Sequence, residues 1–543
     1  MTTSVHDLVP AELRRRWAAD GVYPDLDLYA LFRAHRYARP DRVGVIDSAG
    51  ALTYADLDRL ARSAAAGLRR LGVGEGDVVG IQLPNGRDAV VADLAVAALG
   101  AVSLPFPAGR GASEAASLLG RSGARAVIAA VGHRGHEHAA ELVEAARDLP
   151  ALRTVVAVGD REGPPGSVAW SRVAAADDGG FVPARPDPDG AARILVSSGS
   201  EAEPKMIAYS HNALAGGRGN FLGSLLGGVG APRCLFLVPL ASAFGSNGTA
   251  VTLARHGGCL VLLDHFTPRD ALAAIEDHRP THVLGVPTMI RMMLDVPWSG
   301  ARPAMTALLL GGSELDARTV AEAGERFGCP VVNVYGSADG VNCHSGLPPI
   351  RVEGDTPGVV VGRPDPLVTD IRITRSPDEA GADAGEILAR GPMTPMCYVG
   401  APELNRRYRT ADGWVRTGDL GLLDGSGLLR LVGRLKQVVI RGGANISLAE
   451  VEHALAAHPD VRDVVCVGVP DPVMGERLAA CVVSRDGRPL ELAELCAHLL
   501  GRGLDKVKHP ERLLLVREMP LTPAGKPDRG ALRDRLERLE RAE

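Results

Sequence analysis

The sequence predicts an α/β protein with a large N-terminal domain of layered, mostly parallel sheets and helices, followed by a small α+β C-terminal domain. Three observations carry that expectation. Helix-period and strand-period segments alternate through the first half, as they do when helices cover a parallel sheet. Two apolar runs, Leu308-Leu-Leu-Gly311-Gly312 and Val334-Tyr335-Gly336, end in glycine, as strands do where α/β sheets bind ligands. Beyond Gly433 the alternation gives way to a compact unit about one small domain long.

In chain order, Thr53 can cap a helix over 54–71, because Tyr54, Leu57, Leu60, Ala64, Leu68 and Leu71 keep a helical period. A β-rich run follows at 78–83, then a helix over 87–99, a short strand at 102–104 and a helix near 113–119. Strands at 126–130 and 154–158 flank a helix over 136–149. The Pro/Gly/Asp-rich stretch 161–190 predicts a long loop before a strand at 193–196. Gly72-Val-Gly74-Glu-Gly76 lies after a helix and before a strand, the reverse of a dinucleotide-binding loop, and reads as a turn. In the C-terminal unit, helices are expected at 448–457 and 490–500, with strands at 461–469, 478–483 and 512–516.

Composition narrows the function. The 543 residues carry a formal net charge of -5, which implies neither a nucleic-acid nor an anionic-membrane partner. The most apolar stretch, 89–107, is broken by Asp93 and closed by prolines, too interrupted to span a bilayer, and the N-terminus lacks a secretory pattern. Eight cysteines without CxxC spacing speak against zinc or a disulfide framework, and so for a reduced, cytoplasmic protein. Of sixty basic residues only five are lysine: Lys205, Lys436, Lys506, Lys508 and Lys526. A lysine kept against so strong an arginine bias is a candidate for a role that needs a compact ammonium on a flexible stem.

Several segments carry chemistry. Ser197-Ser198-Gly199-Ser200-Glu201-Ala202-Glu203-Pro204-Lys205 follows a strand, where small residues let backbone N–H groups converge on phosphate and lysine adds charge. Gly311-Gly312-Ser313 and Tyr335-Gly336-Ser337-Ala338-Asp339 offer flat glycine backbone for a base and a carboxylate for Mg²⁺. Thr417-Gly418-Asp419 holds an acidic residue in a turn, suited to ribose hydroxyls. Gly433-Arg434-Leu435-Lys436 precedes Arg441-Gly442-Gly443, and Gly525-Lys526 lies in a Pro/Gly loop. Each alone also reads as an ordinary turn.

In this order and spacing the segments resemble the adenylate-forming superfamily of acyl-CoA synthetases, adenylation domains and firefly luciferase, over nearly the whole chain. The resemblance implies an ATP-dependent first step to acyl-AMP, after which a mobile C-terminal domain swings and a thiol takes the acyl group. It implies domains over 1–432 and 437–543 with a hinge at 433–436. Lys526 would lie between substrate carboxylate and α-phosphate. By the same resemblance Asp419 and Arg434 would hold ribose, and Gly311, Gly312 and Ser313 the adenine. Ser198, Gly199, Ser200, Lys205, Tyr335, Gly336 and Ser337 would complete the nucleotide site, and Asp339 would hold Mg²⁺. Lys436 would mark the hinge, and Gly442 and Gly443 the thiol tunnel. The implied partners are a carboxylic acid or acyl-adenylate and coenzyme A. A carrier protein, loaded by a free-standing ligase, and a separate adenylating enzyme are the alternatives to weigh. A non-catalytic adenylate-binding protein is the remaining one.

The sequence also departs from that family. Glu201 and Ala202 stand where the phosphate loop normally has threonine and glycine, and Asp339 replaces a glutamate. These changes leave two readings open: a loop that binds ATP normally with Glu201 turned outward or on Mg²⁺, or a chain impaired in adenylation yet able to thioesterify preformed acyl-AMP. In the acid pocket, expected from Ala241, Ser242, Phe244, Gly245 and Ala338, small residues occupy the usual aromatic and histidine positions. They predict a pocket for a bulky, largely hydrophobic acid.

Overall fold

Local side-chain chemistry starts several helices. Thr53 and Asp56 form a reciprocal capping box ahead of helix Tyr54–Arg70. Thr267, with Pro268 in the first turn, opens Pro268–His278, and Asp316 caps Ala317–Phe327. The computed structural model describes residues 5–197, 204–298, 300, 302–312, 315–347, 350, 358–374, 384–435, 437–441, 444–471, 474–502, 504, 506–522 and 525–540.

The helices cover two eight-stranded sheets. The inner strands of the first sheet, Val331–Ser337, Ala307–Gly311, His282–Gly285, Arg233–Phe236, Cys259–Leu262 and Val43–Asp47, are all parallel. Antiparallel strands Val341–His344 and Gly50–Thr53 close its edges. The second sheet is parallel from Ala191–Val196 to Val168–Ala169, with Met206–Ser210 and Cys397–Tyr398 added antiparallel at the other edge. Parallel strands read as continuous apolar runs because helices cover both faces, and Ala126–Ala130 is buried at every position. One large core joins these layers through Phe32, Tyr54, Leu94, Phe236 and Phe327.

A third sheet departs from the parallel expectation. Val359–Gly362, Leu429–Arg434, Val415–Leu423, Gly385–Arg390 and Asp370–Thr374 form a five-stranded antiparallel sheet. Tyr335, Val341, Ile387 and Leu429 bury its contact with the first sheet. The predicted 161–190 loop also contains the short helix Trp170–Ala174, anchored by Trp170 Nε1 donating to Asp88 Oδ1 at 2.8 Å.

The chain leaves the third sheet at Arg434 and enters a fourth at Val438. There Val461–Asp471 and Gly475–Ser484 pair antiparallel, Arg512–Leu515 adds in parallel, and two small cores lie on opposite faces. Arg291 bridges this unit to the rest, reaching Asp316 at 3.1 Å and Asp463 at 3.3 Å. All eight cysteines are free thiols, and among the described residues no helix is long and apolar enough to cross a membrane.

Candidate active site

Strand ends from the first three sheets and the loop carrying Lys526 surround a cavity of about 470 Å³. Gly311 and Gly312 enter it from the end of strand Ala307–Gly311. Gly312 has φ +92°, which glycine adopts without strain, and a Cβ there would stand 3.3 Å from Lys526 Cε. The bare backbone lets the lysine of the C-terminal unit come down onto the sheet. Lys526 is held in its turn by two bonds: its N–H donates to Thr522 Oγ1 at 3.3 Å, and its carbonyl accepts from Thr522 N at 2.7 Å.

Asp419 and Arg434 are direct partners across the third sheet, which explains their fifteen-residue spacing. Arg434 Nε donates to Asp419 Oδ1 at 2.5 Å, and Tyr335 OH donates to Oδ2 at 2.6 Å. Burial, and then the neighbouring Asp419 charge, hold the Tyr335 phenol well above its ordinary range, so it remains a donor. Asp419 is fully buried and does not line the cavity; Thr417, Gly418 and Arg434 do. Its carboxylate therefore fixes Arg434 and Tyr335 from behind.

Lys205 sits in a second buried arrangement. Its Nζ lies 3.4 Å from Asp339 Oδ1, 4.1 Å from the Tyr408 ring centre and 5.3 Å from that of Tyr398. Asp339 Oδ1 also accepts from Tyr398 OH at 2.6 Å, while Oδ2 accepts from Ser337 Oγ at 2.8 Å. Oδ2 retains a lone pair, so one carboxylate oxygen fits a Mg²⁺ whose other ligands are phosphate oxygens and water. Removing the charge should expose what it supports. Asp339→Asn should lose about 3 kcal/mol of folding stability, because Lys205 is left buried without its counter-ion. Tyr398→Phe should lose about 1.5 kcal/mol, the lower value of a hydrogen bond to a charged acceptor. Urea unfolding of the two variants checks the ranking, and equal losses would remove the ion pair from the account.

The acid-pocket expectation needs correction at two positions. Ala241 is buried outside the cavity lining. Gly245 is packed against backbone, where a Cβ would meet Pro239 O, and does not line the cavity either. Ser242, Phe244 and Ala338 do line it. Ser242 Oγ also shapes the turn, donating to Pro239 O at 2.8 Å and accepting from Gly245 N at 3.0 Å. The neighbouring Ala243 supplies the small side chain facing the space, among Phe221, Val238 and Val286. Ala243→Phe should therefore discriminate against large acids over small ones by about 10–200-fold in kcat/KM. Unchanged kinetics across an acid size series would take Ala243 out of the pocket.

Lys205, Gly311, Gly312, Gly336, Ser337, Asp339, Arg434 and Lys526 thus converge on one cavity, while Tyr335 lines an adjoining cleft of about 1050 Å³ between the sheets and the C-terminal unit. Ser198, Gly199, Ser200, Glu201, Ala202, Ser313, Lys436, Gly442 and Gly443 lie outside the described residues. The cavity lining carries seven basic residues against two acidic ones, Asp339 and Glu386, in a chain that is acidic overall. That sign and the glycine backbone fit a nucleotide polyphosphate. Arg110, Arg218, Tyr398 and Tyr408 were invisible in the sequence. Arginine supplies fifty-five of sixty basic residues, so no arginine stands out, and the tyrosines approach Lys205 only through tertiary structure. Burial lowers Arg110 to about 10, leaving it a cation at neutral pH beside its partner Glu114.

Residues 32–399 match the family described as AMP-binding enzyme, and residues 450–526 match the AMP-binding enzyme C-terminal domain. The salicyl-AMP ligase / salicyl-S-ArCP synthetase of Mycobacterium tuberculosis is 31% identical over 96% of this chain and 93% of its own. The 2-hydroxy-7-methoxy-5-methyl-1-naphthoate–CoA ligase of Streptomyces carzinostaticus is 31% identical over 96% of each chain. The structure of the amide bond synthetase McbA from Marinactinospora thermotolerans superposes with a TM-score of 0.77 at 28% identity, over 93% of this chain and 99% of that one.

Proposed function

The chain belongs to the AMP-binding enzymes, a family of adenylate-forming ligases that use ATP, and from that premise we propose that it converts a bulky aromatic acid into its CoA thioester. The observation that carries the reading is Lys526, brought by the C-terminal unit into the same cavity as Gly312 and Arg434. The acid class draws on the naphthoate and salicylate relatives and on the small Ala243 beside Phe221 and Phe244.

In the first half-reaction the acid carboxylate attacks the α-phosphorus of ATP and pyrophosphate leaves. Lys526 balances the negative charge gathering between carboxylate and phosphate, Lys205 faces the departing phosphates, and Arg434, braced by Asp419, orients the sugar. Asp339 is the residue that would hold a Mg²⁺, which when bound would supply further phosphate neutralisation. In the second half-reaction the C-terminal unit turns about the 433–436 segment and withdraws Lys526, opening the site to a thiol. The thiolate sulfur attacks the acyl carbon and AMP leaves. A protein of this kind works in the cytoplasm, where ATP and CoA are available.

A carrier-protein thiol is the second reading, favoured by the salicyl-S-ArCP synthetase relative. Pyrophosphate exchange across a panel of aromatic acids, followed by trapping with CoA, a phosphopantetheinylated carrier or an amine, tests the assignment. Exchange with transfer to CoA supports it. Transfer to the carrier or the amine alone moves the assignment to that acceptor, and an absence of both exchange and transfer overturns it.

A further inference from the structure

Most buried or half-buried cations around the cavity have an acidic partner. Lys205 faces Asp339, Arg110 meets Glu114, Arg416 meets Glu386 at 2.8 Å, and Arg434 meets Asp419. Arg218 differs. It closes the π-helical turn Ala213–Arg218, lines the cavity and is only 2% exposed, yet no carboxylate among the described residues pairs with it. Its Nη1 donates to Ala243 O at 2.9 Å and Ser246 Oγ at 3.0 Å, and its guanidinium lies 5.0 Å over the Tyr209 ring. Its Nε has no partner among the described residues.

A buried guanidinium without a counter-ion is costly, and proteins retain one where a ligand completes it. The separate turn that Arg218 contacts, residues 243–247, holds a second incomplete group: Asn247 Nδ2 donates to Phe244 O at 2.9 Å, and its Oδ1 is buried without a partner among the described residues. Both residues line the cavity, so two polar groups, Arg218 and Asn247, stand beside the apolar Ala243 and Phe244. The carboxylate being activated belongs beside Lys526, which leaves Arg218 for a different group on the acid.

We propose that Arg218 is a specificity-determining residue, and that the acid it selects carries a second oxygen substituent, an acceptor of hydrogen bonds and by preference anionic, beside the carboxylate being activated. This rests on the adenylate-forming reading above. It narrows the substrate from a bulky aromatic acid to an aromatic acid bearing a carboxylate or a hydroxyl oxygen within reach of residue 218. Arginine suits this role because its fork can bind Ala243 and Ser246 while its remaining N–H groups meet a planar oxygen group.

The test uses the full chain and unreactive mimics of the acyl-adenylate, the 5′-O-(N-acylsulfamoyl)adenosines of 2-naphthoic acid and of its carboxy, hydroxy and methyl derivatives at several ring positions. Calorimetry reads each dissociation constant. At least one carboxy or hydroxy derivative should bind about tenfold or more tighter than both the parent and the methyl compound. Arg218→Met should weaken the favoured derivative about tenfold more than the parent, while Arg218→Lys keeps part of the preference. The carboxy and hydroxy arms distinguish an anionic from a neutral acceptor. Parent or methyl compounds binding tightest to the wild-type protein would overturn the proposal without any variant. Equal weakening of all compounds by Arg218→Met would assign Arg218 to the turn alone and overturn it too. Failure of every compound to bind would overturn the aromatic-acid assignment of the proposed function, and this inference with it.

Discussion

Lys526→Ala is expected to slow acyl-AMP formation by about 10²–10³-fold while leaving thioester formation from supplied acyl-AMP at its original rate. The lysine reaches the cavity from a loop between strand Arg512–Leu515 and helix Arg529–Glu540, so its position depends on how the C-terminal unit is seated. A charge that meets the substrate only during the first displacement lowers only that barrier. Separate assays of pyrophosphate exchange and of CoA acylation from synthetic acyl-AMP read the two steps. Equal loss in both would make Lys526 a structural residue.

The same lysine predicts a pH profile. Burial lowers its pKa to about 8, the positive charge of Arg434 acts in the same direction, and Asp419 opposes both. The ammonium is the working form, so it is present below about pH 8 and lost above it. In the free enzyme, kcat/KM for adenylation should fall as pH rises through that value, and Lys526→Arg should remove the limb because arginine stays charged. At saturating ATP the phosphates favour the protonated lysine, so the limb in kcat should lie at higher pH.

The sequence marked these elements unequally, and the reasons are physical. Strands Ala126–Ala130 and Thr154–Val158 coincide with their expected limits because both are buried apolar runs bounded by turns. Helix Tyr54–Arg70 announced itself through a cap and a four-turn period. Trp170–Ala174 is five residues long, too short for a period, and depends on the Trp170–Asp88 bond for its place. The antiparallel third sheet escaped because strands such as Asp370–Thr374 are polar and half-exposed, with no apolar run to mark them. Within the site, lysine was conspicuous by its rarity and arginine was not. The ring pair around Lys205 comes from the two-residue strand Cys397–Tyr398 and the helix Pro402–Tyr408, almost two hundred residues away, where no local pattern points to it. Ala241 and Ala243 look alike in sequence, and only the turn through Ser242 decides which faces the cavity.

The double replacement Glu201→Thr with Ala202→Gly is expected to raise pyrophosphate exchange by about a hundredfold and to leave acylation of CoA from supplied acyl-AMP unchanged. The motivation is the charge written into the phosphate loop. A carboxylate about 6 Å from a phosphate, at an effective dielectric near 20, costs about 3 kcal/mol. Lys205, the cation four residues on in the sequence, is already committed, since its Nζ lies 3.4 Å from Asp339 Oδ1. Alanine at 202 adds to this by restricting a backbone position where related loops have glycine. Under the proposed mechanism both effects would fall on the polyphosphate, whereas Arg434 and Tyr335, which donate to Asp419, would bear on AMP, common to both half-reactions. The original chain should then pass preformed acyl-AMP to a thiol far faster than it makes acyl-AMP. Vigorous exchange by the original chain with its own acid would end this idea, because Glu201 would then be turned away from the phosphates. If the double replacement left exchange slow while Asp339→Glu restored it, the deficit would lie in the shorter carboxylate and its hold on Mg²⁺ rather than in the loop.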